Sequence, residues 1–324
     1  MGIATVDRVL NERGNVSPET ARKVIEAARQ LKWPRILPVP YRRGLRLDVL
    51  LTRPDTPFYQ RLNEAFASAA STLDRSVIVQ RSFVDELPEA LAKRILSTNS
   101  QAVVLVGEDD AAVVDAITTV TVRGIPAVTL VSDIPTSPRL AYVGIDHYCA
   151  GRTAAFFMEA MARAPGVLLV LCHSLRYRAH AQRVSGFRDR ISDRGSGLTI
   201  AAVLEGHDDR SLSAQLLSDA MGSLRDVVGV YNAGGANRGV EAALKSAHLA
   251  GKAVFIGHEL NVHTRRLLSE GTMTLTIDQN PESQARRAIS ILLHRFGYVE
   301  EIPGPGDVPF VIYGPENLKP VIVG

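Results

Sequence analysis

From Leu47 onward the chain alternates short apolar runs with amphipathic segments, and this alternation predicts its architecture. The apolar runs fall at 47–52, 76–80, 102–106, 126–131, 141–145, 167–172, 199–204, 227–231, 253–257 and 273–277. Between most of them lie segments with helical spacing of apolar positions, such as 58–73, 87–96, 111–122 and 182–191. Strands that are apolar on both faces and separated by helices form βαβ units, and therefore parallel sheets. About ten strands suit two smaller sheets better than one wide one. The predicted fold class is α/β.

The first 46 residues follow a different pattern. Residues 17–32 read as a helix: Ser17 is a favoured N-cap, Pro18 a favoured first residue, and Ala21, Val24, Ile25, Ala28 and Leu31 fall on one stripe. Trp33-Pro34 ends it. Residues 34–46 hold three prolines and four arginines and read as a linker. At 324 residues the chain exceeds what one core usually supports, so two or more domains are expected.

Composition refines this picture. With 46% hydrophobic and 22% charged residues the chain is that of a globular protein, neither disordered nor fibrous. The net charge of +3 hides an asymmetry: up to Arg46 there are 10 Lys/Arg against 4 Asp/Glu, and beyond it 27 against 30. A basic head on a mildly acidic body is the layout of a DNA-binding segment joined to a sensor. Cys149 and Cys172 are too few for a disulfide framework and read as ordinary buried thiols. No apolar run is as long as a bilayer span, and the N-terminus has no secretory pattern, so the expected location is the cytoplasm.

Enzyme signatures do not emerge. The sequence contains no Gly-x-Ser-x-Gly elbow, no Walker loop and no His-Glu-x-x-His. The cluster Gly234-Gly235-Ala236-Asn237-Arg238-Gly239 invites a phosphate-loop reading, but its glycine spacing fits a plain strand-to-helix turn. Histidines 147, 173, 180, 207, 258 and 263 lie on different segments with no pair at tight ligand spacing, which disfavours zinc. A protein without catalysis, cofactor or metal is expected.

Several motifs carry a family resemblance. Thr5-Val6-x-Arg8-Val9-Leu10-Asn11 resembles the recognition helix of the LacI family of transcription regulators, and Val16-Ser17-Pro18-Glu19-Thr20 opens the helix that follows it there. Val143-Gly144-Ile145-Asp146 with Ala150-Gly151-Arg152 resembles that family's crossing between lobes, and Ile277-Asp278-Gln279-Asn280-Pro281 its return. The resemblance implies the type I periplasmic-binding-protein fold, with two Rossmann-like lobes joined by three strands around a ligand cleft. It divides the chain into a partial helix-turn-helix head at 1–33, a linker at 34–46 and an effector-binding domain at 47–324. One lobe is expected at about 47–145 and 279–310, the other at about 146–278 and 311–324.

In such lobes ligands sit beyond the carboxyl ends of the strands. The resemblance accordingly implies a cleft lined by Asp55, Phe58, Tyr59, Asp133, Arg183, Asn232, Glu259 and Gln279. The two aromatics offer stacking platforms, and Arg183 a fork of donors for adjacent hydroxyls or a carboxylate. Ile134 follows Asp133 where the family often has arginine, and Glu259 is one methylene longer than the usual aspartate. The mix suits a small, neutral, hydroxyl-rich ligand, a sugar or polyol.

On the DNA side the resemblance assigns Ile3, Ala4, Thr5, Asp7, Arg8 and Asn11. Ile3 and Ala4 offer only apolar contact, Arg8 can read guanine or phosphate, and Asp7 repels phosphate. Ile36 and Leu37 stand among prolines where the family inserts hinge leucines into DNA. The first helix of the helix-turn-helix is missing, so a start upstream of Met1 and a mobile head of about 30 residues are expected. The function implied is a sugar- or polyol-controlled regulator, a homodimer on operator DNA and not a membrane protein. The alternative is a cytoplasmic sugar-binding protein that has lost specific DNA binding. A transport-associated receptor and an enzyme on a Rossmann-like fold are less favoured.

Overall fold

Two mainly parallel sheets carry the chain from residue 45 onward, following the alternation of apolar runs and amphipathic segments. The computed structural model describes residues 2–11, 13, 15–31, 44–300 and 308–318. At the N-terminus lie α1 (Ile3–Leu10) and α2 (Pro18–Gln30). Val9, Ala21, Val24 and Ile25 bury their side chains together there, in a small core separate from the others. The helix stop at Trp33-Pro34, Ile36, Leu37 and most of the expected linker lie outside the described residues.

The first sheet and its helices comprise β1 (Leu45–Leu51), α3 (Pro57–Ser71), β2 (Val77–Phe83), α4 (Pro88–Leu96), β3 (Ala102–Leu105), α5 (Ala111–Val122), β4 (Ala127–Leu130) and β5 (Ala141–Val143). Its strand order is β2-β1-β3-β4-β5, all parallel. Successive residues of β1 feed opposite faces: Leu47, Val49 and Leu51 enter one core, Leu50 the other. That is why the run shows no polar alternation. Its one acid, Asp48, is buried and accepts hydrogen bonds from Arg94 and Thr98, both at 2.9 Å. Strand β1 begins at Leu45, inside the expected linker, where buried Leu45 pairs with Val77.

The second sheet is entered through α6 (His147–Met161). It continues through β6 (Gly166–Cys172), α7 (Arg178–Arg194), β7 (Leu198–Glu205), α8 (Arg210–Ser223), β8 (Val227–Asn232), α9 (Asn237–Ser246), β9 (Val254–His258), α10 (Val262–Ser269) and β10 (Leu275–Asp278). After it come α11 (Pro281–Arg295) and β11 (Val311–Tyr313). The order is β11-β10-β9-β8-β6-β7, with only β11 antiparallel. Three-residue β11 was not among the expected runs, although Val311, Ile312 and Tyr313 are all apolar or aromatic. Both sheets reverse their direction of growth beside their first strand, between β1 and β3 and between β6 and β8. Crevices at such switch points are where α/β folds hold ligands.

Helix α11 returns to the first lobe and packs on α3. This return is pinned by Arg61 of α3, whose Nε and Nη2 each donate to Glu282 at 2.7 Å while Nη1 donates to Asp278 at the end of β10. Asp278 is almost fully buried. Removing Arg61 leaves it with amide donors but no counter-charge. Arg61→Ala is expected to cost about 2–4 kcal/mol, somewhat less than breaking a fully buried pair because Arg61 is partly exposed. A urea-unfolding midpoint checks it, and an unchanged midpoint contradicts the pinning role.

Among the described residues no helix is long and apolar enough to cross a membrane. Cys172 is buried as expected, its thiol pushed up to about 12 by burial and then by the charge of Glu205. Cys149 departs from the expectation: on α6, two residues beyond buried His147, it faces the surface.

Candidate functional site

The carboxyl ends of strands from both lobes meet at one small cavity. From the first lobe come Arg53 after β1, Phe58 and Tyr59 at the start of α3, and Val131 after β4. From the second come Arg183 and His180 of α7, Asp208 after β7, Gly234 and Gly235 after β8, and His258 and Glu259 at the end of β9. Gln279 joins from the crossing after β10. The cavity holds about 40 Å3. A small-molecule site usually needs roughly 300–1,000 Å3, so the lobes or a side chain must move to admit a ligand.

Four lining residues have left-handed backbone without being glycine: Arg53 (φ +51°), Val131 (φ +65°), Asp208 (φ +54°) and Glu259 (φ +72°). For a β-branched or long side chain that conformation is strained by about 1–3 kcal/mol. Each sits just past a strand end, where the left-handed turn directs the side chain inward. Such strain, shared by residues around one cavity, marks a site held for function.

Arg183 is the centre of this wall. It is 3% exposed. Its Nε donates to Nδ1 of His147 at 3.0 Å and its Nη1 to the Ala233 carbonyl at 2.7 Å. The His147 ring donates from Nε2 to the Val131 carbonyl at 2.6 Å, which fixes the tautomer that accepts from arginine. The helix crossing that places Arg183 depends on two glycines. A methyl group on Gly151 of α6 would lie 2.0 Å from the Arg183 carbonyl oxygen, and one on Gly186 of α7 2.1 Å from that of Tyr148. Gly186→Ala is therefore expected to force the helices apart at a cost of about 1–3 kcal/mol and to weaken ligand binding with it. Unchanged unfolding and unchanged affinity would show that the crossing tolerates the methyl.

Arg53 fills the space opposite. Its Nη1 donates to Asp208 at 2.7 Å and its Nη2 to the Tyr59 hydroxyl at 3.0 Å, while its guanidinium lies over the rings of Tyr59 and Tyr177. Burial opposes its charge, but Tyr59 and Asp208 outweigh it and hold Arg53 firmly protonated. Gln279 donates from Nε2 to Glu259, tying the crossing to β9.

Several buried polar atoms of the lining have no hydrogen-bond partner among the described residues: Oε2 of Glu259, Nδ1 of His180 and of His258, and Oε1 of Gln279, joined by the hydroxyl of Tyr177, whose ring lies under Arg53. Burying such atoms unpaired costs about 1–3 kcal/mol each. Their concentration around one cavity is the signature of a place where a polar ligand completes the bonding.

The same burial sets the protonation. Burial and then the charge of Arg183 hold His147, His180 and His258 well below 6.5, so they are neutral. Burial and then the Asp278 charge push the Glu259 carboxyl up to about 8. Stability must fall as pH drops below 6.5, because the unfolded histidines take up protons that the folded ones refuse. It must also fall as pH rises toward 8, because the folded Glu259 binds a proton that the unfolded one has released since about 4.5. Between 4.5 and 6.5 three histidines outweigh one glutamate, so maximal stability is expected near pH 6.5. Urea midpoints from pH 5 to 9 check this, and Glu259→Gln should remove the decline on the alkaline side only.

Of the residues expected in the cleft, the structure brings together Phe58, Tyr59, Arg183, Glu259 and Gln279. Asp55 is exposed outside it. Asp133 accepts two hydrogen bonds from Arg139 and one from Thr129; burial opposes its charge, but the arginine holds its carboxyl below the ordinary range. Asn232 is buried but spent locally, donating to Asn237 and accepting from the Gly234 amide. Arg53, His180, Asp208 and His258 were not foreseen. Their place after a strand, or one helical turn before Arg183, was the available signal.

A family model described as periplasmic binding protein domain matches residues 47–295, most of the chain. Among solved structures the fold is similar to that of GanP, a glucose-galactose binding protein from Geobacillus stearothermophilus. Identity there is 23% and the TM-score 0.78, over 86% of this chain and 99% of that one. It is also similar to an ABC transporter solute-binding protein from Burkholderia graminis in complex with D-arabinose, at 18% identity and a TM-score of 0.77, over 85% and 96%. AraP, an arabinose binding protein from Geobacillus stearothermophilus, is similar at 19% identity and a TM-score of 0.70, over 85% and 98%. No curated protein matches.

These findings correct the expected LacI-type regulator. The matching model describes binding-protein domains and the similar structures are sugar-binding proteins, one of them an ABC transporter solute-binding protein, so transcription regulation, a repressor role and operator DNA are withdrawn, and the homodimer with them. The cytoplasmic assignment is corrected too, since the matching family is described as periplasmic. The head gives a physical reason as well. Asp7 accepts from Asn11 at 2.8 Å and from Arg13 at 2.9 Å, so two residues assigned to the DNA side are spent on local contacts. Ile3, Ala4, Thr5 and Arg8 share the same short helix, which packs on α2.

Proposed function

The chain belongs to the periplasmic binding protein domain family, whose members bind ligands and are not enzymes, and on that premise we propose that it binds a small hydroxyl-rich solute, a sugar or polyol, between its two lobes. The observation that carries this reading is the set of unpartnered buried polar atoms on residues that line one interlobe cavity, beside Arg183 and the aromatic pair Phe58–Tyr59. Hydroxyl groups both donate and accept, so one polyol can satisfy a carboxyl, two imidazoles and an amide together. The Phe58 and Tyr59 rings, edge to face with centroids 5.1 Å apart, supply an apolar wall for a sugar's carbon face. The similar structures described as glucose-galactose and arabinose binding proteins support the same ligand class. The reading takes about 47–145 with 279–310 as one lobe and about 146–278 with 311–324 as the other, 301–307 and 319–324 lying outside the described residues.

A thermal-shift screen against pentoses, hexoses, polyols, cyclitols and their acids tests it. At least one compound should raise the melting temperature by several degrees and bind at one site per chain in calorimetry. A screen in which no such compound binds contradicts the reading.

A further inference from the structure

Charge in the cleft is unevenly matched. Arg53 has Asp208 at 2.7 Å and Glu86 at 3.5 Å. Arg61 has Asp278 and Glu282. Arg183, the most deeply buried of the three, has no carboxylate in ion-pair reach among the described residues, and its protein partners are a neutral imidazole and a carbonyl. Arginine stays charged in proteins, and a buried charge without a counter-ion is costly. The acid that shares the cavity with it, Glu259, has one oxygen bound by Gln279 and the other unpartnered.

Resting on the proposed binding function, we infer that the cleft takes a polyhydroxylated carboxylate, an aldonic or uronic acid, with its carboxylate on Arg183 and its hydroxyls on the unpartnered polar atoms around it. Two of the five N–H groups of Arg183 are used within the protein, and three remain for the ligand. Parallel donors matched to two oxygens are the geometry in which arginine binds carboxylates most strongly. Glu259 does not supply the missing charge, since burial holds its proton on at neutral pH. A protonated Glu259 is itself a donor, and repels an incoming anion less than a carboxylate would. The orphaned atoms of Glu259, His180, His258 and Gln279 separate this ligand from a simple carboxylate such as acetate, which has nothing to offer them. A neutral sugar would meet the hydroxyl requirement but leave the Arg183 charge uncompensated.

Calorimetry on the full chain at pH 7 tests this with matched pairs: D-glucose against D-gluconate and D-glucuronate, D-galactose against D-galactonate and D-galacturonate, L-arabinose against L-arabinonate. The best acid is expected to bind at least about 30-fold tighter than its neutral parent. Arg183→Gln should reduce that preference to about threefold or less, and Arg183→Lys should restore part of it. A neutral sugar that binds as tightly as its acid overturns the charge inference and leaves the sugar-binding reading standing. An acid whose preference survives Arg183→Gln overturns the assignment to Arg183. Failure of every acid and every neutral sugar to bind removes both readings.

Discussion

Replacing Arg183 by methionine is expected to remove ligand binding without loss of stability in the unliganded protein. Methionine fills much of the same length, and its removal of a buried, uncompensated charge offsets the two lost hydrogen bonds. Exchanging buried charge for apolar volume is often neutral or stabilising by about 1–4 kcal/mol. The bond to the Ala233 carbonyl works against this, since an orphaned carbonyl costs about 1–3 kcal/mol. The expected net change in unfolding free energy is therefore within about 1 kcal/mol of zero. Affinity behaves differently: losing charge-assisted hydrogen bonds to the ligand should cost about 2–4 kcal/mol, or roughly 30- to 1,000-fold in Kd. Urea unfolding and calorimetry together measure both. A variant destabilised by more than about 3 kcal/mol, with affinity intact, would make Arg183 a structural residue.

The second large effect is expected from the pair that spans the cleft. Arg53 and Asp208 come from different lobes, and their side chains are 15% and 12% exposed. Among the described residues, Arg53→Ala leaves Asp208 with only the Gly235 amide as a donor, and Asp208→Ala leaves a guanidinium between two tyrosine rings with the more distant Glu86, at 3.5 Å, as its counter-charge. Each single substitution should destabilise by about 2–4 kcal/mol, because the surviving charge stays buried. The double variant should cost less than the sum, with a coupling energy of about 1–3 kcal/mol. Additivity within about 0.3 kcal/mol would show that the two residues do not hold the lobes together.

The architecture was largely legible because parallel strands buried on both faces leave apolar runs that stand out from the helices between them. Leu47 through Leu51 on β1 are an example. Arg183 was legible only through the family resemblance, since it stands four residues before Phe187 as in that motif, and the structure buries both on one helix. Arg53 and Asp208 were not. Both depend on left-handed turns that sequence reading reserves for glycine or asparagine, and their partnership joins positions 53 and 208. His147 and His258 were set aside as scattered histidines, although the fold gathers them around one arginine. Asp133 was misleading in the opposite way, since its partner Arg139 lies only six residues on but beyond a turn. What made the expectation a DNA regulator was the basic head, with its motifs at 5–11 and 16–20, while the family is decided by residues 47–295. A short helix motif carries little weight against a match of that length.

Difference density in crystals grown with the tightest-binding compound from the screen tests the central claim most directly. The account predicts density between the lobes, within hydrogen-bond reach (about 3.2 Å) of the Arg183 guanidinium and the Glu259 carboxyl, with the Arg53 side chain moved out of its present place. A compound that binds one per chain but sits away from this cavity, with Arg183 and Glu259 untouched, would contradict it.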